Sequence, residues 1–229
     1  VKTLTSFEKC ILVFVRFPER GMIKSRLSKD LNEDIVLRLY KNFVFDILNT
    51  LKRGKHFLKI CFHPPDSKEK ISDWLGEVLP YMPQKGRDLG ERMKNAFIDT
   101  FSDGFSKVIL IGSDIPDLTI TIINRAFELD MHDAVIGPSA DGGYYLIGFK
   151  KSTFLPDIFE GIKWGTEKVF ERTMEILRGR KYLVQILPQW QDVDRLDDLN
   201  ALFYRNQDTE FKNSQTMTFL YERRNIFLI

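Results

Sequence analysis

Cysteine and histidine are scarce in this chain, with two and three residues among 229. Cys10 and Cys61 each lie in or beside a strand-like apolar run, so they read as buried free thiols and supply neither a disulfide framework nor a thiolate metal site. His56, His63 and His132 have no metal-ligand spacing. Long apolar runs are missing as well. Ile11 to Val15 and Tyr144 to Ile147 fall far short of the roughly 18 residues of a spanning helix, so no membrane partner is expected. Charge of one sign is nearly cancelled, because 34 Lys and Arg against 32 Asp and Glu leave +2. A pI near 8.4 lacks the strong basic bias of nucleic-acid binders, which excludes that partner class and makes any cationic function local. The first apolar run is flanked by Glu8, Lys9, Arg16 and Glu19 with no small-residue cleavage site, so it does not read as a secretory signal, and a cytoplasmic location is expected.

What is present suits a soluble globular chain. Hydrophobic residues at 43% can build a core, and charged residues at 29% argue against a disordered or collagen-like polymer. The length predicts one generous domain over residues 1–206, followed by a tail over 207–229 that is either loosely held or an oligomer contact. Cys10 to Val15 is an unalternating β-rich run, as in a strand covered on both faces. A helix is predicted over Asp34–Lys52, with Ile35, Leu39, Phe43, Val44 and Ile47 on one face. The alternation continues with a strand at His56–Phe62, helices at Ser67–Leu75 and Asp88–Phe101, and a strand at Lys107–Ile111. Further on come a helix at Thr119–Leu129, strands at Ala134–Ile136 and Tyr144–Phe149, a helix at Lys168–Arg178, an extended run at Tyr182–Leu187 and a helix at Leu196–Tyr204. Strands alternating with helices of this length predict an α/β fold, a mostly parallel sheet with helices on both faces.

In such sheets ligands bind beyond the carboxyl ends of the strands, which are rich in chemistry here. The first strand leads into Arg16, Pro18, Gly21, Lys24 and Arg26, a glycine-containing loop whose cations can meet phosphate oxygens or can form a solvated turn. No glycine directly precedes Lys24, so this is not a P-loop. The strand at Lys107–Ile111 runs into Gly112-Ser113-Asp114-Ile115-Pro116-Asp117, and Trp190-Gln191-Asp192-Val193-Asp194 places two more acids at alternate positions. Carboxylates gathered in one crevice need a cation, since two of them 4 Å apart repel by about 4 kcal/mol at an effective dielectric near 20. Magnesium or manganese suits such oxygen donors, whereas Asp194, Asp197 and Asp198 can instead cap the helix that follows. Gly137 to Tyr145 offers Asp141, the Gly142-Gly143 pair and the ring of Tyr144, or a plain hairpin turn. Gly86, Asp88 and Gly90 either make room for a nucleotide or cap a helix, and Ser113 is a weak nucleophile because no nucleophile elbow surrounds it.

Taken in order, the segments Pro18 to Leu27, Gln84 to Met93, Ile111 to Leu118, Gly137 to Gly148, Phe159 to Trp164 and Trp190 to Leu199 resemble one family. The chain is similar to bacterial glycosyltransferase-like proteins of the nucleotide-diphospho-sugar transferase superfamily, related to phospholactate guanylyltransferases. The resemblance covers about Cys10 to Phe203. It implies an A-type glycosyltransferase fold, a Rossmann-like three-layer α/β/α sandwich. It further implies that Gly21, Lys24, Arg26, Gly86, Asp88 and Gly90 serve the nucleotide, and that Asp114, Asp194 and Asp192 hold the metal. Asp141, Gly142, Gly143, Tyr144, Glu160 and Trp164 would line the acceptor side, with Asp141 as a candidate base. The chain departs from the usual pattern at Arg20, Ser25 and Arg195. The expected activity is metal-dependent transfer from a nucleotide-activated donor, a glycosyl group first and a nucleotidyl group as the alternative. A non-catalytic nucleotide-sugar sensor and a scaffold or subunit whose tail from Phe211 onward pairs with a partner are the remaining rivals, and a homo-oligomer is a possible state.

Overall fold

A computed structural model of the chain describes residues 8–227. Residues 1–7 of the expected domain, and Leu228 and Ile229 of its apolar end, lie outside the described residues. The seven strands are β1 (Lys9–Arg16), β2 (Phe57–His63), β3 (Tyr81–Pro83), β4 (Lys107–Ile111), β5 (Ala134–Pro138), β6 (Tyr144–Lys150) and β7 (Val184–Ile186). The helices are α1 (Glu33–Lys52), α2 (Lys68–Leu75), α3 (Leu89–Ser102), α4 (Ile120–Ala126), α5 (Val169–Gly179), α6 (Leu196–Arg205), α7 (Gln215–Glu222) and the single turn α8 (Arg224–Phe227). The described residues fall into two compact units, one holding 8–17, 55–112 and 121–190, the other 18–54, 113–120 and 191–227.

The first unit contains the whole sheet, ordered β3-β2-β1-β4-β6-β5-β7. β1 pairs in parallel with β2 and β4, so that Val13 lies opposite Ile60 and Ile111. The expected mostly parallel α/β fold is therefore present, with β6 the strand that runs against its neighbours β4 and β5. Its reversal follows from the five residues 139–143 between β5 and β6, too few for the crossover a parallel pair needs. Cys10 to Val15 are buried at every position, as an inner parallel strand requires. Around Phe97 of α3, the rings of Phe101, Phe149, Phe154 and Phe159 stand 5.3 to 6.0 Å away and fill the core of this unit. Ser67 precedes α2 without capping it, because its hydroxyl donates to Pro64 O at 2.6 Å. α4 stops three residues short of the expected Leu129, where Phe127 N and Glu128 N donate to the carbonyls of Asn124 and Arg125 three positions back in four-residue turns.

The second unit is helical. α1 starts where the Asn32 side chain accepts from Asp34 N, carries Glu33 and Asp34 in its first turn and ends on Lys52, which suits the helix dipole at both ends. Its Val36, Leu39 and Phe43 pack with Leu199, Leu202 and Phe203 of α6 and with Met217 and Leu220 of α7. The C-terminal segment thus contains α7, whose first amides, Gln215 N and Thr216 N, donate to the buried carboxylate of Asp46 at 2.9 and 2.8 Å. Among the described residues, no helix is long and apolar enough to cross a membrane.

Candidate functional site

The connection from β1 to α1 contains two residues in the left-handed region, Gly21 at φ 69° and Lys24 at φ 45°. The conformation is free for glycine, but for Lys24 it costs on the order of 1–3 kcal/mol, which the surroundings must hold. Ile23 and Leu27 are buried on either side, and Lys24 O accepts from Ser28 N at 3.0 Å and from the Ser28 hydroxyl at 3.3 Å. The Lys24 side chain is only 4% exposed. Its ammonium lies 2.6 Å from Asp114 Oδ1 and 2.9 Å from Asp194 Oδ1, while Arg26 Nη1 reaches Asp194 Oδ2 at 3.3 Å. Two acids 80 residues apart in the chain, one after β4 and one before α6, therefore meet on one buried cation.

Burial opposes the Lys24 ammonium, yet Asp114 and then Asp194 raise its proton affinity above that of an ordinary lysine. At Asp194 burial alone would raise the carboxyl, but Lys24, followed by Arg26 and Arg195, outweighs it and holds the group below its usual range. Each of Lys24 and Asp194 thus favours the charged form of the other.

The backbones bearing the two acids are also joined. Val193 N donates to Asp114 O at 3.0 Å, and the buried Ser113 hydroxyl shares a hydrogen bond with Tyr40 of α1 at 3.2 Å. Capping of α6 falls to Asp198, whose Oδ2 accepts from Asp194 N at 3.1 Å and Arg195 N at 2.8 Å, so the Asp194 carboxylate faces the cations instead. Asp117, buried three residues after Asp114, accepts from Arg205 Nε at 2.8 Å, Arg205 Nη2 at 3.1 Å and Asn206 Nδ2 at 2.8 Å. Asp192 is half-buried two positions before Asp194. Asp117 and Asp198 stand in motifs visible in the sequence, whereas nothing in the sequence singles out Arg205 or Asn206.

The remaining candidates lie in the sheet-bearing unit. Asp88 caps α3, accepting from Glu91 N at 2.9 Å, and Gly86 at φ 145° has the Glu91 and Arg92 backbone where a Cβ would go. Gly90 leaves room for the Trp164 indole and the Phe159 carbonyl, so Gly90 and Trp164 are brought together. Trp164 in turn meets Tyr144 edge-on, with centroids 6.4 Å apart. Burial pushes the Tyr144 phenol far above its ordinary value, which keeps it protonated. Asp141 Oδ1 accepts from the Ser139 hydroxyl and, at 2.9 Å, from Gly143 N, the geometry of an Asx turn. A Cβ on Gly142 (φ 87°) would strike the Glu167 backbone. Glu160 is exposed and pairs with Lys94 at 3.0 Å.

This architecture has known counterparts. A crystal structure from Desulfovibrio desulfuricans, designated a nucleotide-diphospho-sugar transferase, is 44% identical, covers 96% of both chains and superimposes with a TM-score of 0.93. The 2-phospho-L-lactate guanylyltransferase of Methanocaldococcus jannaschii is 26% identical over 83% of this chain and 81% of its own. The Mycobacterium tuberculosis protein Rv0371c, solved in complex with manganese, shares the fold at 13% identity and a TM-score of 0.52, over 86% of this chain and 98% of that one. Fold and relatives define the class: the chain is a transferase with the nucleotide-diphospho-sugar transferase fold. More narrowly, it belongs to the DUF2064 family, described as uncharacterized proteins conserved in bacteria, which matches residues 47–166.

Proposed function

We propose that the protein transfers a nucleotidyl group from a nucleoside triphosphate to a small phosphorylated acceptor with the help of a divalent metal. The observation that carries this reading is the buried Lys24 ammonium, joined by Arg26, against two carboxylates on separate loops. Such a cluster has the charges needed for triphosphate oxygens and for a hard cation. The donor set fits magnesium or manganese, because Asp114 and Asp194 already direct oxygens at one positive group. Among the described residues no three carboxylate, imidazole or thiolate groups gather as ready metal ligands, so the ion would rely on these two acids, water and substrate phosphate. Asp192 is the nearest further acid in the chain. When bound, the ion would stabilise charge on the phosphates.

Lys24 and Arg26 would hold the β- and γ-phosphates, orienting the α-phosphorus for in-line attack. A phosphate oxygen of the acceptor forms the new bond to the α-phosphorus, and the bond to the bridging oxygen breaks to release pyrophosphate. The acceptor phosphate is already ionised at neutral pH, so no base is required. That agrees with Asp141, whose Oδ1 is engaged by Ser139 and Gly143. Gly86, Asp88 and Gly90 are assigned to the nucleoside, and Tyr144, Gly142, Gly143, Glu160 and Trp164 to the acceptor. The guanylyltransferase relative supports the reaction class, and the manganese complex of Rv0371c supports the choice of ion. The proposed location is the cytoplasm, where nucleoside triphosphates are available.

Glycosyl transfer is a second reading, favoured by the designation of the 44% identical structure. Incubation with each triphosphate and nucleotide sugar, with magnesium and a panel of phosphorylated and hydroxyl acceptors, separates the two by product. Pyrophosphate release that depends on acceptor supports nucleotidyl transfer, and nucleoside diphosphate release supports glycosyl transfer. Loss of both in Asp114→Asn and Asp194→Asn ties the activity to this cluster, whereas undiminished turnover in those variants refutes the assignment.

A further inference from the structure

Arg205 ties both acid-bearing segments to the same end of one helix. Arg205 closes α6, and its guanidinium grips the 3%-exposed carboxylate of Asp117 through both Nε and Nη2. The same Nη2 donates to Gln191 O at 3.2 Å, three residues before Asp194. At the start of α6, Asp198 takes the Asp194 and Arg195 amides on one oxygen and the Gln191 side chain, at 2.9 Å, on the other. Segment 113–117 is thus held by Arg205 at one end of α6, while segment 191–195 is held at both ends. The Val193 N to Asp114 O bond closes the loop between the two segments.

From this we infer that Arg205 is a positioning residue. Acting through Asp117 and the Gln191 carbonyl, it sets the separation of the Asp114 and Asp194 carboxylates and hence the affinity for the divalent ion. This inference rests on the metal role proposed above. A bidentate guanidinium suits the task because it fixes direction as well as charge, which a lysine ammonium does not. Groups behind the ligands of a metal site typically change its affinity by about 10–100-fold when removed.

The test compares wild type with Arg205→Lys, Arg205→Ala and the milder Asp117→Asn in the full chain. The first measurement is amide exchange at Val193, which needs neither metal nor substrate. Acceleration in the Arg205 variants, with the rest of the protein still protected, supports positioning, and unchanged exchange overturns it whatever the activity. The second is the magnesium concentration for half-maximal turnover at saturating nucleotide. It is expected to rise about 10–100-fold in Arg205→Lys while kcat recovers at high magnesium, and to fall back in Arg205→Ala when guanidinium is added. A residue that merely stabilised the fold would reduce kcat in proportion to folded protein and leave the magnesium requirement unchanged, which would overturn the inference. Should Arg205→Ala fail to fold, Asp117→Asn carries both readouts. Should wild type show no metal-dependent turnover while Val193 exchange still accelerates, the metal reading fails and the positioning role stands.

Discussion

Replacing Lys24 with methionine keeps most of the side-chain volume and removes the charge on which Asp114 and Asp194 converge. Two unit charges 4 Å apart attract by about 1 kcal/mol in water and about 4 kcal/mol at an effective dielectric of 20. The carboxylates are 49% and 30% exposed, so solvent screens both pairs, and loss of the ammonium also relieves its own burial. A net destabilisation of about 1–3 kcal/mol follows, or a fall in Tm of about 2–12 °C for a chain of this size. The informative arm is the response to magnesium without nucleotide. In wild type the ammonium already neutralises the acids, and added metal should shift the melt little. In Lys24→Met the acids lack that counter-charge, and magnesium at ten times its Kd restores about 1.4 kcal/mol. Differential scanning calorimetry across a magnesium series, with Lys24→Met/Asp114→Asn/Asp194→Asn as control, reads both effects. A Lys24→Met protein that melts with wild type and ignores magnesium refutes the convergence of the two acids on Lys24.

Gly142→Ala combines a left-handed φ of 87° with a Cβ placed within 2.6 Å of the Glu167 backbone, so it should cost about 2–4 kcal/mol and appear as a Tm drop of at least about 4 °C. The two buried cysteines set an alkaline limit on stability. Burial pushes the Cys10 thiol up to about 12 and raises Cys61 well above its ordinary value, whereas in the unfolded chain both ionise near 8.5. Their folded proton affinities are raised, so their contribution is complete below about pH 8.5 and is lost as pH climbs toward 12. Melts from pH 7.5 to 10.5 should fall more steeply for wild type than for Cys10→Ala/Cys61→Ala, and parallel slopes would refute this account.

Much of the fold was legible because its inner strands carry runs of consecutive buried residues and so stand out as uninterrupted apolar stretches. Lys107–Ile111 has the boundaries expected from the sequence, and α1 differs by one residue. Ser67 stands at the N-cap position of α2 as the sequence suggests, but its hydroxyl donates to Pro64 O and makes no capping bond. Lys24, Asp114 and Asp194 were visible as charged residues flanking buried segments, but Lys24 and Asp194 are 170 residues apart, and no local spacing encodes their contact. Arg205 looked like any cation in the last turn of an amphipathic helix, a place where the dipole alone favours one.

Both margins of the seven-stranded sheet are stubs. β3 and β7 have three residues each, and β3 finishes on Pro83, which has no amide hydrogen to offer. A neighbouring molecule would find almost no template on which to extend the ladder, so these borders resist strand-by-strand polymerisation even at high concentration. Among the described residues, the helices and loops offer a far larger surface for association than these short edges do.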